Sequence, residues 1–264
     1  MQHGVIQADG RLYVDNSILA TEAVCQTHAS LRYGLGYDAP GVRVKMNVGT
    51  AIHAGMDVFF AGGSVPDVLA AFEKAYTAMG IGQAIAAMDE KQQKGLQAYT
   101  LANLKVIVGE YCTRNAMLPF EVDTTTIEQG FAVLLDREFN IWYTGTPDVG
   151  KVVMRGSGSV YTVDTKSTGS YLTAEYKRGY RTASQVTGYL WGLREVTGLP
   201  YVGAFINAIN IKKIPDSNRR CSDHGVQYSE CGLMHAEMEL FPVTRTPQQI
   251  DAWRVNAIAL ARRY

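Results

Sequence analysis

The sequence predicts a mixed α/β fold of the α+β kind: a central β-sheet flanked by helices, with a helical N-terminal part. Three observations carry that prediction. Apolar residues recur at helical spacing through much of residues 18–115. From Thr124 the pattern changes to short runs rich in β-branched and aromatic residues, separated by turn-forming glycines. Beyond residue 183 a helical stretch, two strand-like stretches and a last helix follow one another. Helices, then strands, then helix and strand in turn suit one shared core. At 264 residues and 47% apolar, the chain can bury such a core. It is read as one domain over 1–264, with 1–120 mainly helical, 121–264 holding the sheet and its flanking helices, and 215–232 a loop insertion.

Each element has a local reason. After a short strand at 10–14, Asp15, Asn16 and Ser17 supply caps for a helix over 18–33, which Gly34, Gly36 and Pro40 end. A second helix begins near Asn47 and carries His53 within its first two turns. Ser64 and Asp67 form a capping box around Pro66, opening a helix to about Met79. Leu101, Leu104, Val108 and Tyr111 share one helical face, predicting a long helix over 89–115. Runs 126–136, 139–144, 148–154 and 160–166 read as a meander of strands. Residues 171–180 are polar and basic, and 183–196 returns to helix, ending at Gly198 and Pro200. Strands at 201–211 and 233–243 pair as a hairpin, and Thr246 opens a final helix reaching Arg263. The chain has no internal repeat and no low-complexity tract.

Composition narrows the function. Lysine plus arginine equal aspartate plus glutamate at 25 each, so no global basic field announces a polyanion binder, although a local basic groove remains compatible. The first residues lack a basic region followed by an apolar core, and no 18-residue apolar run exists; a cytoplasmic protein without a membrane span is expected. Cys25, Cys112, Cys221 and Cys231 are too few and too scattered for a disulfide framework.

The chemistry concentrates in residues 145–166. Strand residues two apart share a face, so Asp164 and Lys166 point one way and Thr165 the other. Asp148 comes from the preceding run. Two carboxylates brought together repel unless a cation is bound, so the pair makes sense mainly with a divalent metal. Lys166 can then orient or deprotonate an attacking water, or neutralise charge developing on a phosphate. These are the parts for metal-assisted hydrolysis of a phosphodiester. Taken alone, Asp-x-Lys is more often a solvated ion pair. Downstream, Lys177, Arg178 and Arg181 interleave with Tyr171, Tyr176 and Tyr180. That composition could grip a nucleic-acid backbone and stack on frayed bases, and it equally suits an ordinary solvated helix start. Cys221, His224, Cys231 and His235 have a spacing that could hold a structural Zn²⁺, or they belong to a polar insertion.

With the surrounding pieces in order, the chain resembles the PD-(D/E)XK nuclease superfamily, in the branch containing RecB-type nuclease domains, lambda-type phage exonucleases and CRISPR adaptation nucleases. Gly49, Thr50 and His53 resemble its GTxxH helix motif; Glu128 resembles the acid of its first core strand. Gly145 and Asp148 match GxxD, Asp164 and Lys166 match DxK, and Gln185 and Tyr189 match QxxxY. The resemblance covers most of the chain and implies a restriction-endonuclease-like core. It implies that His53, Asp148, Asp164 and the backbone carbonyl of Thr165 ligate one or two Mg²⁺ or Mn²⁺ ions, with Lys166 the catalytic lysine and Glu128 a further acid. Gln185 and Tyr189 would contact DNA or brace the site. The implied activity is a deoxyribonuclease, an exonuclease at linear DNA ends in recombination, repair or phage DNA processing. A homo-oligomer and a single-strand annealing or recombination protein as partner would accompany it. The alternatives are a structure-selective or CRISPR-adaptation-type trimming endonuclease and a DNA-end-binding module without catalysis. Part of the branch holds an iron–sulfur cluster on one cysteine before the histidine motif and three near the C-terminus. Cys25 stands at the first position, but only Cys221 and Cys231 follow, so no cluster is expected.

Overall fold

A side-chain cap sets the first helix start. In the computed structural model, which describes residues 4–38, 41–212, 226 and 236–264, strand β1 (Leu12–Val14) runs directly into helix α1 (Asn16–Val24). The Asp15 carboxylate accepts the Ile18 N–H at 2.9 Å there. The helix predicted to reach residue 33 stops early. Cys25 is extended, and a short α2 (Gln26–Ala29) and a π-helical turn (Ser30–Gly34) complete the stretch. Nothing in the side chain of Cys25 demands the break. α3 (Val44–Phe60) turns Val48, Ile52 and Met56 inward. The Ser64–Asp67 capping box opens α4 (Val65–Ala78) as expected.

The helix predicted over 89–115 is also interrupted. A short helix α5 (Ile81–Ala86), not anticipated, precedes α6 (Glu90–Gly95), a 3₁₀ turn (Gln97–Tyr99) and α7 (Leu101–Arg114). The physical reason is Tyr99: its ring is buried and its carbonyl accepts from the Tyr76 hydroxyl at 3.1 Å, which draws the chain out of helical register.

The strand-like runs form two sheets, not one meander. After β2 (Phe120–Val122), β3 (Phe131–Asp136) and β4 (Ile141–Gly145) pair antiparallel, and β1 joins β4 in parallel. β5 (Val149–Met154) and β6 (Val160–Thr168) belong to a second, five-stranded sheet. Thr146 and Pro147 separate the two, and Pro147 has no N–H to continue a ladder. Helices α8 (Ala174–Gly179) and α9 (Ser184–Thr197) then carry the chain to β7 (Gly203–Asn210), which lies parallel to β6. The predicted hairpin forms between β7 and β8 (Met238–Thr244), and Thr246 opens α10 (Pro247–Ala261) as expected, through a capping box with Gln249. The larger sheet has the order β2-β5-β6-β7-β8.

Every residue of β7 is buried because helices cover both faces of that sheet. Val163, Phe205 and Ile209 join the core of α3, α4 and α7. Ala204, Ile206 and Ala208 join a second core with α1, α9, α10 and the three-stranded sheet. β6 thus runs between the two cores. No helix among the described residues is long and apolar enough to cross a membrane. Residues 215–225 and 227–232, with Cys221, His224, Cys231 and His235, lie outside the described residues, as does the Zn²⁺ grouping built on them. Cys25 is exposed and Cys112 buried, both with free thiols.

α9 fits between the two sheets only because it lacks side chains at two positions. A Cβ on Gly188 would meet the Tyr143 hydroxyl and Trp253, the latter at 2.7 Å; one on Gly192 would enter the Phe131 ring. Gly→Ala inside a helix ordinarily stabilises by about 1 kcal/mol. Here the sign should reverse: Gly188→Ala and Gly192→Ala should each cost about 1–3 kcal/mol through overpacking. Gly109→Ala on α7, with open space around it, should be neutral or stabilising. Urea unfolding midpoints of the three variants check this.

Candidate metal centre

β6 delivers three of the functional side chains by alternation alone. Asp164 and Lys166 lie on the face of α9, and Thr165 points to the face of α3 and α7, opposite Asn207 of β7. The Lys166 Nζ donates to Asp164 Oδ1 at 3.1 Å and lies 2.9 Å from Oδ2. That Oδ2 takes no hydrogen bond among the described residues and is sealed from solvent. Asp148, at the start of β5, is also buried. Its Oδ2 accepts the Thr165 N–H, and its Oδ1 lies 3.0 Å from Nδ1 of His53 on α3. The five residues singled out by the sequence thus form two adjoining sets, His53 with Asp148 and the Thr165 N–H, and Asp164 with Lys166, joined through the β6 backbone where Thr165 follows Asp164.

Glu128 reaches the site by a different route from the one predicted. It is not on a strand. Its backbone is left-handed (φ 50°), one residue after an isolated bridge of Ile127 to Val149, and its N–H donates to the Asp148 carbonyl at 3.0 Å. The chain here leaves the larger sheet for the smaller one, and the turn swings the Glu128 side chain into the cluster. His53, Glu128 and Asp148 offer ligand atoms that all lie within 4.8 Å of one another.

Asp57, four residues and one helical turn after His53, is the acid that the sequence reading missed. Its Oδ1 is buried without a hydrogen-bond partner among the described residues. Burial, then the charge of Asp148, pushes the Asp57 carboxyl up to about 6. Partial desolvation, then the charges of Asp57 and Asp148, pushes Glu128 up to about 7, although much of that residue meets solvent. Burial likewise raises Asp164, against the pull of Lys166. For His53 burial opposes protonation, but the hydrogen bond and charge of Asp148 outweigh it and the value rises.

Four carboxyl groups thus face one ammonium and one imidazole. An excess of negative charge of this kind, with the Asp57 Oδ1 buried and without a hydrogen-bond partner among the described residues, fits a divalent cation.

Around this centre, small residues and polar contacts fix the approach of the elements. Gly49 lets α3 lie against β6: a Cβ there would press on Ser167 Oγ at 3.1 Å. At Gly145 a Cβ would enter the rings of Phe131 and Tyr189. Gln185 donates to the Tyr189 hydroxyl at 3.0 Å, which in turn donates to the Thr146 carbonyl at 3.1 Å, two residues before Asp148. Asn207, fully buried, donates to Thr165 Oγ1 at 3.1 Å from behind the site. Its only trace in the sequence is one of two asparagines in a strand otherwise made of apolar residues.

The basic stretch lies beside β8. Lys177 pairs with Glu239 at 2.8 Å, Arg178 pairs with Glu175, and Arg181 is exposed in a 3₁₀ turn (Tyr180–Thr182). All three line a groove of about 650 Å³ with Arg245. Arg245 is buried and holds the turn in place, donating to Thr187 Oγ1 and the Tyr180 carbonyl at 2.8 Å each.

No protein-family model matches the chain, and no curated protein matches its sequence. In three dimensions it is similar to the crystal structure of a proposed exonuclease from Eubacterium rectale, with a TM-score of 0.53 at 12% identity, over 95% of this chain and 80% of that one. At that identity the likeness is one of fold. What the two share is the mixed α+β architecture over most of both chains.

The raised carboxyls set a pH dependence. A carboxyl whose folded value lies above its unfolded value, about 4, opposes folding as pH rises from that value, in full above the folded values of about 6 for Asp57 and about 7 for Glu128. His53 acts in the same direction, since its raised value favours folding only while it is protonated. In chelator, the melting temperature should therefore fall between about pH 4.5 and 7.5. Millimolar Mg²⁺ or Mn²⁺ should raise it by several degrees at pH 7.5 and far less at pH 5, and Glu128→Gln should flatten the chelator profile. Calorimetric melting across that range, with and without metal, decides it.

Proposed function

We propose that the protein is a Mg²⁺- or Mn²⁺-dependent deoxyribonuclease of the PD-(D/E)XK superfamily, in its RecB-like and lambda-type exonuclease branch. The chain would form one nuclease domain and act in the cytoplasm on the ends of linear DNA. The observation that carries the reading is the convergence of Asp148, held by His53 and the Thr165 N–H, with the adjoining Asp164–Lys166 pair and the further carboxyls of Asp57 and Glu128. The shared fold supports it.

Hydrolysis needs a water oxygen to attack phosphorus while the opposite ester oxygen leaves, and negative charge grows on the phosphate oxygens between them. A bound Mg²⁺ or Mn²⁺ supplies a Lewis acid and lowers the pKa of a coordinated water. His53, Asp148, Asp164 and the Thr165 carbonyl would hold it. Asp148 is oriented by two contacts, His53 on one oxygen and the Thr165 N–H on the other. Lys166 is anchored on Asp164 with its remaining protons available to hold the attacking water or to meet the phosphate charge. Gln185 and Tyr189 brace the segment that carries Asp148. Lys177, Arg178 and Arg181 would track the phosphate backbone away from the cut.

Lys166→Ala should lower the cleavage rate by about 10²- to 10⁴-fold while leaving DNA affinity in Ca²⁺ within a few-fold of wild type. End-labelled linear and closed circular DNA, incubated with Mg²⁺, Mn²⁺ or chelator, give the readout. Release of mononucleotides or short oligomers from ends supports the exonuclease; cutting of the circle assigns an endonuclease. Full activity of a rigorously purified Lys166→Ala protein would refute the reading. Arg178→Ala with Arg181→Ala should reduce the slope of log affinity against log salt by about 1 for each phosphate contact removed, measured by fluorescence anisotropy.

A further inference from the structure

A second cleft adjoins the metal centre. It has a volume of about 530 Å³ and lies between the start of α1, the β3–β4 pair and the first turns of α9, lined by Asp15, Asn16, Phe131, Ala132, Gln185 and Tyr189 among others. That is within the range of small-molecule sites, about 300–1,000 Å³. Its walls are continuous with the two segments that build the metal centre. Gly130, two residues after Glu128, and Thr146, two before Asp148, both line it. Tyr189 lines the cleft, and its hydroxyl donates to the Thr146 carbonyl on the segment that leads to Asp148. Burial raises its pKa, and the charges of Asp164, Asp148 and Asp15 raise it further.

The lining selects the class of ligand. None of the described lining residues is lysine or arginine, and the one full charge is the Asp15 carboxylate, already engaged at the start of α1. A phosphate would be repelled there, unlike in the groove of Lys177, Arg178 and Arg181. Asn16, Ser17 and Gln185 bring amide and hydroxyl groups, whereas Phe131 and Tyr189 meet edge to face, with ring centroids 6.3 Å apart. An uncharged, flat ring with hydrogen-bonding edges satisfies both kinds of wall.

We infer that this cleft receives an unpaired nucleobase of the DNA strand, adjacent to the phosphodiester that is cut. The inference rests on the nuclease reading above. It makes the protein a reader of base presence at the strand end, with the sugar–phosphate on the metal side of Tyr189 and the base on the other.

The test uses 12-mer single strands of one sequence, intact or carrying an abasic residue at the 5′ or the 3′ terminus, with affinity measured by anisotropy in Ca²⁺. Wild-type protein should bind the strand that is abasic at one of the two ends about tenfold more weakly than the intact strand. Ala132→Phe and Ser17→Trp, which fill the cleft from two different elements, should bind the intact strand about as weakly and no longer distinguish it from the abasic one. Equal wild-type affinity for all three strands overturns the inference. So does discrimination retained by a variant with wild-type melting temperature. Cleavage of the same strands in Mg²⁺ reports separately on the nuclease reading. Cleavage without base discrimination removes this inference alone, and absence of both binding and cleavage removes both.

Discussion

The structure around the candidate centre depends on one electrostatic imbalance. Asp57, Glu128, Asp148 and Asp164 share a partly desolvated space with Lys166 and His53, and the carboxyls of Asp57, Glu128 and Asp164 are all raised. Burial amplifies their mutual repulsion because fewer waters remain to screen it. A protein core does not keep such a group without compensation; either protons or a cation must supply it. The fold's contribution is to hold the acids in place regardless, through two covered sheet faces that leave β6 no freedom to move them.

That rigidity comes from packing on both sides of β6 and β7. Thr165 and Asn207 lock together on the side of α3 and α7, while Ile206 and Ala208 pack under α9 on the other. Glycine makes the close approaches possible: Gly49 brings α3 onto β6, and Gly188 and Gly192 let α9 settle between the sheets. Tyr189, carried by α9, then reaches across to Thr146 and fixes the segment leading to Asp148. One helix thus couples the smaller sheet to the segment that carries Asp148 at the start of the larger one.

Local chemistry was legible wherever a few neighbouring residues decide the outcome. The capping box at Ser64 and the helix start at Thr246 announced α4 and α10, the i, i+2 pairing of Asp164 with Lys166 followed from strand alternation, and the i, i+4 pairing of Gln185 with Tyr189 followed from helical geometry. The breaks at Cys25 and Tyr99 were not legible. Helical periodicity continues through both, and at Tyr99 only the partner in space, Tyr76, reveals why the chain turns. Glu128 was recognisable as an acid of interest, but its left-handed backbone and position off the strand were not. Asp57 carried a usable signal, one helical turn after His53; Asn207 carried almost none.

By itself the sequence determined the class of fold, the capped starts of several helices, and a set of acids and a lysine whose order along the chain made a site conceivable. These follow from periods and contacts a few residues long. Only the tertiary structure decided which strands share a sheet, because Thr146 and Pro147 permit either a continued meander or a crossing to a second sheet, and packing around α9 selects the crossing. It likewise decided that Asp57 and Glu128 join Asp148 and Asp164. Charges far apart in sequence acquire their meaning from distance and burial, and both are properties of the folded chain.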